Sequence, residues 1–168
     1  DTYTVQSTIA LSGRVDADLL RRAAQALVDR HDVLRTAFVE TSRGPRQVVV
    51  DGVEVRFRTV DLTIAADRGA ARRVAADDAA AGFDLTEPSL IRFTLVRLDS
   101  DHFALHVTNH HVILDGWSMP LLLGELLHYY GDPGQIGACR PAASYRDYLA
   151  WLGEQDQDAS TAAWAQAY

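Results

Sequence analysis

The sequence predicts an α/β fold in which helices pack on a mixed, largely antiparallel sheet. Short segments with apolar residues at every second position alternate with longer segments whose apolar residues recur at helical spacing. Two neighbouring strand segments, 90–98 and 103–109, are separated only by the polar turn Asp99-Ser100-Asp101. Because so short a turn joins antiparallel strands, a purely parallel sheet is not expected.

The first half of the chain alternates predicted strands with two helices. A strand over 3–11 is broken by Gly13, and a helix then begins with Asp16 as its N-cap and continues to His31. The further elements are strands over 33–40, 46–50 and 53–57, turns over 42–45 and 51–52, and an alanine-rich helix over 65–81 that stops at Gly82.

The second half adds three predicted helices to the strand pair 90–98 and 103–109. These helices lie over 116–130, 144–153 and 160–168, and the turn segment 131–134 ends the first of them. The chain has no internal repeat and no low-complexity stretch. A length of 168 residues then fits one domain or one large lobe of a larger domain.

Composition and charge exclude several function classes. A net charge of −7 argues against nucleic acid as a partner, because phosphate binding needs clustered lysine and arginine. Cys139 is the only cysteine, so a disulfide framework and a multi-thiolate metal site are not expected. No apolar run approaches the ~20 residues that span a bilayer, and no secretory signal heads the sequence. We therefore expect a cytoplasmic protein with no membrane partner.

The most informative segment is 110–118, with the sequence HHVILDGWS, where a predicted strand meets a leucine-rich helix. Side chains alternate between the two faces of a strand, so His110 and His111 point in opposite directions. We expect one imidazole to be held inward and the other to face a cleft. Histidine suits proton transfer or hydrogen bonding near neutral pH. The alternative is that both are hydrogen-bonded structural residues at a buried strand end.

A zinc site is the obvious rival interpretation of the histidines. His102, His106 and His110 lie four residues apart on one predicted strand, so neighbours are separated by roughly 13 Å. Zinc requires nitrogen ligands at ~2 Å from the metal. We therefore expect no metal site.

Asp115 and Gly116 suggest how the loop after the strand is shaped. Asp115 can serve as an N-cap of the helix, and as a buried residue it can also pair with an arginine and fix the loop that presents His111. We expect Gly116 to allow a tight turn, and N–H groups of Gly116 and Trp117 to be available to an oxyanion. No Gly-x-Ser-x-Gly segment is present, and Cys139 has no nearby histidine. The pattern indicates direct transfer between two bound substrates.

Three segments resemble one family. The segment 110–118 resembles the HHxxxDG signature of condensation domains of nonribosomal peptide synthetases, which chloramphenicol acetyltransferase and related acyltransferases share. The segment 30–38, RHDVLRTAF, resembles the family motif RHExLRTxF with Asp32 in place of glutamate. The segment 83–92, FDLTEPSLIR, is similar to the family's FDL…PLxR segment. Order and spacing agree, so the resemblance covers nearly the whole chain.

The resemblance implies a chloramphenicol acetyltransferase-like sandwich that forms one lobe of a two-lobe pseudo-dimer. Residues 1–168 are expected to be the N-terminal lobe, without the family's first SxAQxRLW segment and without the C-terminal lobe. The family's active site lies in a tunnel between the lobes, so the isolated lobe should be inactive. Its uncovered apolar face should favour self-association.

The resemblance also implies the chemistry and the partners. Donor and acceptor carrier domains deliver substrates on phosphopantetheine arms, and no cofactor is bound directly. A donor acyl or peptidyl thioester is joined to the amine of an acceptor aminoacyl thioester. His111 is the expected catalytic residue, either as a base or as a group that positions the amine. His110 and Asp115 are expected to be structural, with Asp115 paired to Arg35 in preference to Arg30.

Other members of the family remain as alternatives. One alternative is a non-catalytic member that recruits another enzyme or only binds carrier domains, although such relatives usually have a degraded histidine motif. Another is an epimerisation relative, which keeps HHxxxDG. Cyclisation domains replace the histidines with aspartates, and a stand-alone acetyltransferase carries its histidine motif near the C-terminus. The intact motif about two-thirds along this chain argues against both.

Overall fold

A computed structural model describes residues 2–64, 69–138 and 142–167 of the chain. These described residues form six strands and five helices. Their bounds are β1 Thr4–Ser12, α1 Ala17–Arg30, β2 Thr36–Thr41, β3 Gly44–Val49, β4 Arg56–Asp61, α2 Ala70–Ala80, β5 Ile91–Arg97, β6 His102–His110, α3 Ser118–Gly131, α4 Tyr145–Gly153 and α5 Gln157–Ala167. Short 3-10 helices lie at Asp32–Arg35 and Pro133–Gln135.

The strands form a four-stranded sheet in the order β1-β6-β5-β4 and a separate two-stranded sheet, β2-β3. The β1–β6 and β6–β5 pairs are antiparallel, and the β5–β4 pair is parallel. The prediction of a mixed, largely antiparallel sheet is confirmed. The parallel pair needs a crossover, and α2 lies within it between β4 and β5.

Helices cover both faces of the main sheet. The core side of β6 carries Phe103, Leu105 and Val107, as its alternation predicts, and these residues pack in one cluster with the buried residues of α1 and α3. The α2 helix contacts β1 and β6 from the other side. Both faces of the central strands are therefore shielded from solvent, and His106 and His110 are buried as well.

A buried carboxylate holds α2 to the sheet. Asp78 is 4% exposed and accepts hydrogen bonds from Thr108 at 2.5 Å and Thr94 at 3.0 Å, with Arg92 and Arg58 at 3.2 and 3.3 Å. Burial alone would raise the pKa of Asp78, but the hydrogen bond from Thr108 and the charge of Arg92 outweigh it and lower the pKa. Asp78 is therefore a paired, ionised group.

Two predicted strand starts are wrong because side chains form hydrogen bonds with the backbone groups there. Residues 32–35 form a 3-10 turn instead of the first part of a strand, and the Thr36 hydroxyl closes this turn by donating to the Asp32 carbonyl at 2.8 Å. The fourth strand begins at Arg56 and not at residue 53. The Gln25 side chain donates to the Val53 carbonyl and accepts from the Val55 N–H, so these backbone groups do not pair with a neighbouring strand.

The helix predictions agree with the structure within a few residues. Asp16 caps α1 by accepting from the N–H groups of Asp18 and Leu19, and Gly82 follows α2 with a φ of 57°. The helix α3 begins at Ser118 and not at 116, and α5 begins at Gln157 and not at 160. The predictions for residues 65–68, Cys139 and Tyr168 lie outside the described residues.

Candidate active site

The loop between β6 and α3 is held at its β6 end. The His111 N–H donates to the carbonyl of Tyr3, the residue directly before β1, at 2.8 Å, and the Ile113 N–H donates to the His110 carbonyl at 3.2 Å. The side chains of Ile113 and Leu114 are buried in the core. Burial of two apolar side chains within a short loop fixes the backbone on either side of them.

His110 points inward and is 7% exposed. Its Nδ1 accepts the N–H of Val112 at 3.1 Å, so this nitrogen is unprotonated and supports the loop. The ring lies beside Tyr3 and meets Phe83 edge-on, with ring centroids 6.0 and 6.4 Å apart. Burial, followed by the neighbouring His111, lowers the pKa of His110. This imidazole is therefore kept neutral.

His111 has the opposite environment. Its side chain is exposed and lines a cavity of about 720 Å³. One wall of the cavity is the face of α3 that carries Ser118, Leu122 and Glu125, and another is the segment 31–34. The structure thus separates the two histidines as the alternation along β6 indicates, with one ring in the core and the other in an open cavity.

Asp115 is not buried, contrary to the expectation from sequence. Its Oδ1 accepts the N–H groups of Trp117 at 3.1 Å and Ser118 at 2.8 Å, together with the Ser118 hydroxyl at 2.7 Å. These hydrogen bonds, led by that of the Ser118 side chain, lower the pKa of Asp115. The carboxylate therefore stabilises the start of α3, which is the capping role that the sequence also suggests.

The expected pair between Asp115 and Arg35 is wrong. Arg35 binds Asp32 at 2.5 Å and Asp51 at 2.6 Å, and its Nη1 also donates to the Val50 carbonyl at 3.3 Å. The 3-10 turn at 32–35 directs this side chain back over the turn and the end of β3. Arg35 therefore stabilises the 3-10 turn and the end of β3, and among the described residues it has no ion pair or hydrogen bond with the histidine loop.

The two backbone groups expected to form an oxyanion site also differ from each other. The Trp117 N–H is already donated to Asp115, while its indole is 88% exposed. Gly116 does not have a positive φ, and a Cβ built on it would meet nothing within 4 Å. The turn at this position therefore does not use the conformational freedom of glycine. The Gly116 N–H makes no hydrogen bond to the described residues.

Sequence reasoning missed a polar cluster at the wall of the same cavity, in which the lining residues Glu125 and His31 are joined by Arg30 and Tyr129. The Glu125 carboxylate lies 2.5 Å from both Arg30 Nε and His31 Nε2, and Tyr129 donates its hydroxyl at 3.1 Å. The available signal was a lone acid within the apolar run of α3, at the spacing that returns it to the face of Ser118. Arg30 ends α1, where the sequence favours a solvated side chain.

The structure also bears on metal binding and membrane insertion. Within the described ranges, no group of three histidine, cysteine, aspartate or glutamate side chains is placed to hold a metal ion. His102 contacts Asp99 in an exposed turn, and the Nδ1 of His106 lies 2.8 Å from the Thr8 hydroxyl. Among the helices of the described residues, none has the length and hydropathy of a membrane span.

Comparisons with known proteins agree on one family. The sequence profile of condensation domains matches residues 1–168. A linear gramicidin synthase polypeptide of Brevibacillus parabrevis is 35% identical over 99% of this chain, and bacitracin synthase 1 of Bacillus licheniformis is 33% identical over 96%. The chain spans about 3% of the length of each of these relatives.

Solved structures show the same fold. The starter condensation domain of rhizomide synthetase superposes with a TM-score of 0.82 at 20% identity, covering 99% of this chain and 42% of that one. The first condensation domain of the calcium-dependent antibiotic synthetase, in complex with a substrate analogue, superposes with a TM-score of 0.73 at 28% identity, covering 84% and 34%. The chloramphenicol acetyltransferase-like fold expected from the motifs is confirmed.

Proposed function

This chain belongs to the condensation-domain family, and on that premise we propose that its cavity is a site of peptide-bond formation in nonribosomal peptide synthesis. The donor is an acyl or peptidyl thioester, and the acceptor is the amine of an aminoacyl thioester. Both are carried on phosphopantetheine arms of partner carrier domains. The protein itself supplies residues and no bound cofactor.

The observation that carries the proposal is the contrast between the two histidines of one loop. His110 is buried and neutral and accepts the Val112 N–H, whereas His111 is exposed in the cavity. The His111 backbone is held by Tyr3, and the following residues are anchored in the core. A loop fixed in this way can aim an imidazole at a reacting atom without much loss of freedom on binding.

The proposed reaction is a direct acyl transfer. The acceptor amine attacks the donor carbonyl carbon, a C–N bond forms, the C–S bond breaks, and the thiolate leaves. His111 accepts a hydrogen bond from the attacking amine and takes its proton, which is returned to the departing sulfur. An α-amine has an ordinary pKa of about 7.7–8.0, so a useful fraction of it is already neutral near pH 7 and the demand on the base is modest. The Gly116 N–H is available to stabilise the developing oxyanion.

We further propose that the chain is the N-terminal lobe of a two-lobe domain and is inactive without the second lobe. The support is the exposure of large aromatic side chains on the described part of α4 and α5, where Trp151 and Trp164 are each more than half exposed. Exposed apolar surface of this kind favours a covering partner, and in the isolated lobe it favours self-association. We retain the cytoplasm as the proposed compartment, because one cysteine provides no disulfide framework.

The test compares His111→Ala with His102→Ala in the complete two-lobe domain. Donor and acceptor carriers are loaded, and the peptide product is measured by mass spectrometry. We expect His111→Ala to fold normally and to lose about 10²- to 10⁴-fold in rate. The exposed His102 lies outside the cavity, so its variant should keep the wild-type rate.

Two outcomes would contradict the proposal. Wild-type turnover by the His111→Ala variant would remove the catalytic role of this imidazole. Inversion of a carrier-bound residue without formation of a new amide would indicate an epimerisation relative instead.

A further inference from the structure

The cavity has a second imidazole, at the Glu125 end of its α3 wall. His31 directly follows α1 and lines the cavity together with Glu125 of α3. Glu125 lies seven residues beyond Ser118, so it is about 10 Å further along the axis of α3 at about 1.5 Å per residue. His31, which contacts Glu125, therefore lies about two helical turns beyond Ser118 along this wall and belongs to the same substrate space as His111.

The hydrogen bonds of His31 leave one ring nitrogen free for a ligand. Nε2 lies 2.5 Å from Glu125 Oε2, and the side chain is 25% exposed. Nδ1 makes no hydrogen bond to any side chain or backbone group in the described part of the chain. A carboxylate that accepts the Nε2–H fixes the ring orientation and leaves Nδ1 as the acceptor.

Glu125 is held by further contacts besides that to His31. Arg30 pairs with the same carboxylate at 2.5 Å, and Tyr129 donates to it at 3.1 Å. These contacts fix the carboxylate that holds the His31 ring through Nε2, so Nδ1 is the ring nitrogen that is left for a ligand.

We propose that His31, oriented by Glu125, binds an N–H group of the thioester substrate through Nδ1 at this end of the cavity. The inference rests on the proposed function in treating the cavity as the substrate site. His31 is then a positioning residue: it fixes how far the substrate enters, while the chemistry takes place at His111. The N–H belongs either to the pantetheine arm or to the acyl group.

The experiment measures binding of two small probes to the complete condensation domain by titration calorimetry. S-acetylpantetheine has N–H groups only in its arm, and the ethyl thioester of N-acetylglycine has one only in its acyl group. The proteins are wild type, His31→Phe, His31→Gln and the matched control His102→Phe. Glutamine can donate to Glu125 and still accept a hydrogen bond, whereas phenylalanine can do neither.

We expect His31→Phe to weaken one probe about two- to tenfold, the worth of one neutral hydrogen bond. His31→Gln should restore most of the loss, and His102→Phe should bind as wild type. The probe that responds identifies the arm or the acyl group as the source of the N–H. Equal binding of both probes by His31→Phe and wild type, or failure of the wild type to bind either, would overturn the inference.

A second readout needs no variant and no turnover. In wild-type protein labelled with ¹⁵N-histidine, the Nδ1 resonance of His31 should report an unprotonated nitrogen and should shift on addition of the responding probe. A protonated Nδ1, or a resonance that ignores both probes, would overturn the inference. A domain that binds the probe as expected but forms no peptide would contradict the proposed function alone.

Discussion

Asp78 and Glu125 each bind an arginine within a polar cluster, but one cluster is buried and the other lies at the cavity. Asp78 is 4% exposed, and its oxygens are taken up by threonines and arginines between α2 and the sheet. Glu125 also binds an arginine, but its cluster lies in the wall of the cavity and includes a histidine with an open nitrogen. The first cluster is closed and the second is open.

The difference shows how structural and functional polar groups can be separated by geometry. A buried charge whose partners are all used stabilises one arrangement of the elements around it, and removing a partner leaves an uncompensated charge. A cluster that leaves an acceptor facing solvent has capacity for a ligand. His110 and His111 repeat the same contrast within one loop, with one ring enclosed and the other open.

The strongest way to test the contrast is to remove the closed carboxylate. Asp78→Ala leaves Arg92 partly buried without its ion pair, so we expect a loss of about 3–5 kcal/mol in the free energy of unfolding. Urea denaturation measures it. Asp77→Ala, on the exposed side of the same helix, is the control and should lie close to wild type. A loss as small as that of the control would mean that the cluster is not structural.

Acidification should lower the free energy of unfolding by protonating buried groups of the closed regions. Burial lowers the pKa of His106 and His110 below the ordinary 6.5. The unfolded chain therefore binds more protons below pH 6.5, and the stability present above that pH is lost as pH falls towards the lowered values. Asp78, whose pKa is also lowered, adds a further loss below about pH 3.8.

Urea midpoints measured from pH 7.5 to pH 5 check this expectation. The midpoint should fall over this range, and His106→Gln should flatten the fall, since its buried ring would no longer titrate. A midpoint that stays constant between these pH values would contradict the assignment of neutral, buried rings.

Asp115→Ala should have a smaller effect than Asp78→Ala, because Asp115 is exposed and its loss strands no buried charge. The cost is the cap of α3, whose N–H groups at Trp117 and Ser118 would turn to water. Thermal unfolding measures it, and Asp115→Asn should retain most of the stability because asparagine also caps helices well. A variant that fails to fold would indicate that Asp115 takes part in a buried ion pair, and not only in the exposed helix cap that the structure shows.

The smallest effect is expected for Trp117→Ala. The indole is 88% exposed, and only the backbone of this residue contacts Asp115. We expect the free energy of unfolding to change by no more than about 0.5 kcal/mol. A larger loss would show that this aromatic side chain packs within the protein and that the loop is more enclosed than its exposure indicates.

Periodicity predicted the elements well wherever side-chain alternation decides the structure. It assigned Phe103, Leu105 and Val107 to the core face and separated His110 from His111. It failed at residues 32–35, because apolar Val33 and Leu34 resemble a strand although the Thr36 hydroxyl closes a 3-10 turn there. A side chain that forms a hydrogen bond with a backbone group leaves no periodic signal in the sequence.

Pairing between charges was the least predictable property of the site. The spacing of the motif could not show that Arg35 turns to Asp32 and Asp51, or that Arg30 meets Glu125 across two helices. Such choices depend on helix packing and on which carboxylate is nearer after folding. Sequence reasoning could identify the ionisable residues but could not assign their partners.

The His111 N–H donates to the carbonyl of Tyr3, the residue directly before β1, so the placement of the exposed imidazole depends on an edge strand. Edge strands have only one neighbour, so β1 can detach at a lower free energy than the interior of the sheet. The amide proton of residue 111 should then exchange with deuterium at the rate at which β1 opens. Local unfolding of β1 would let the His111 imidazole leave its position in the cavity while the core stays folded.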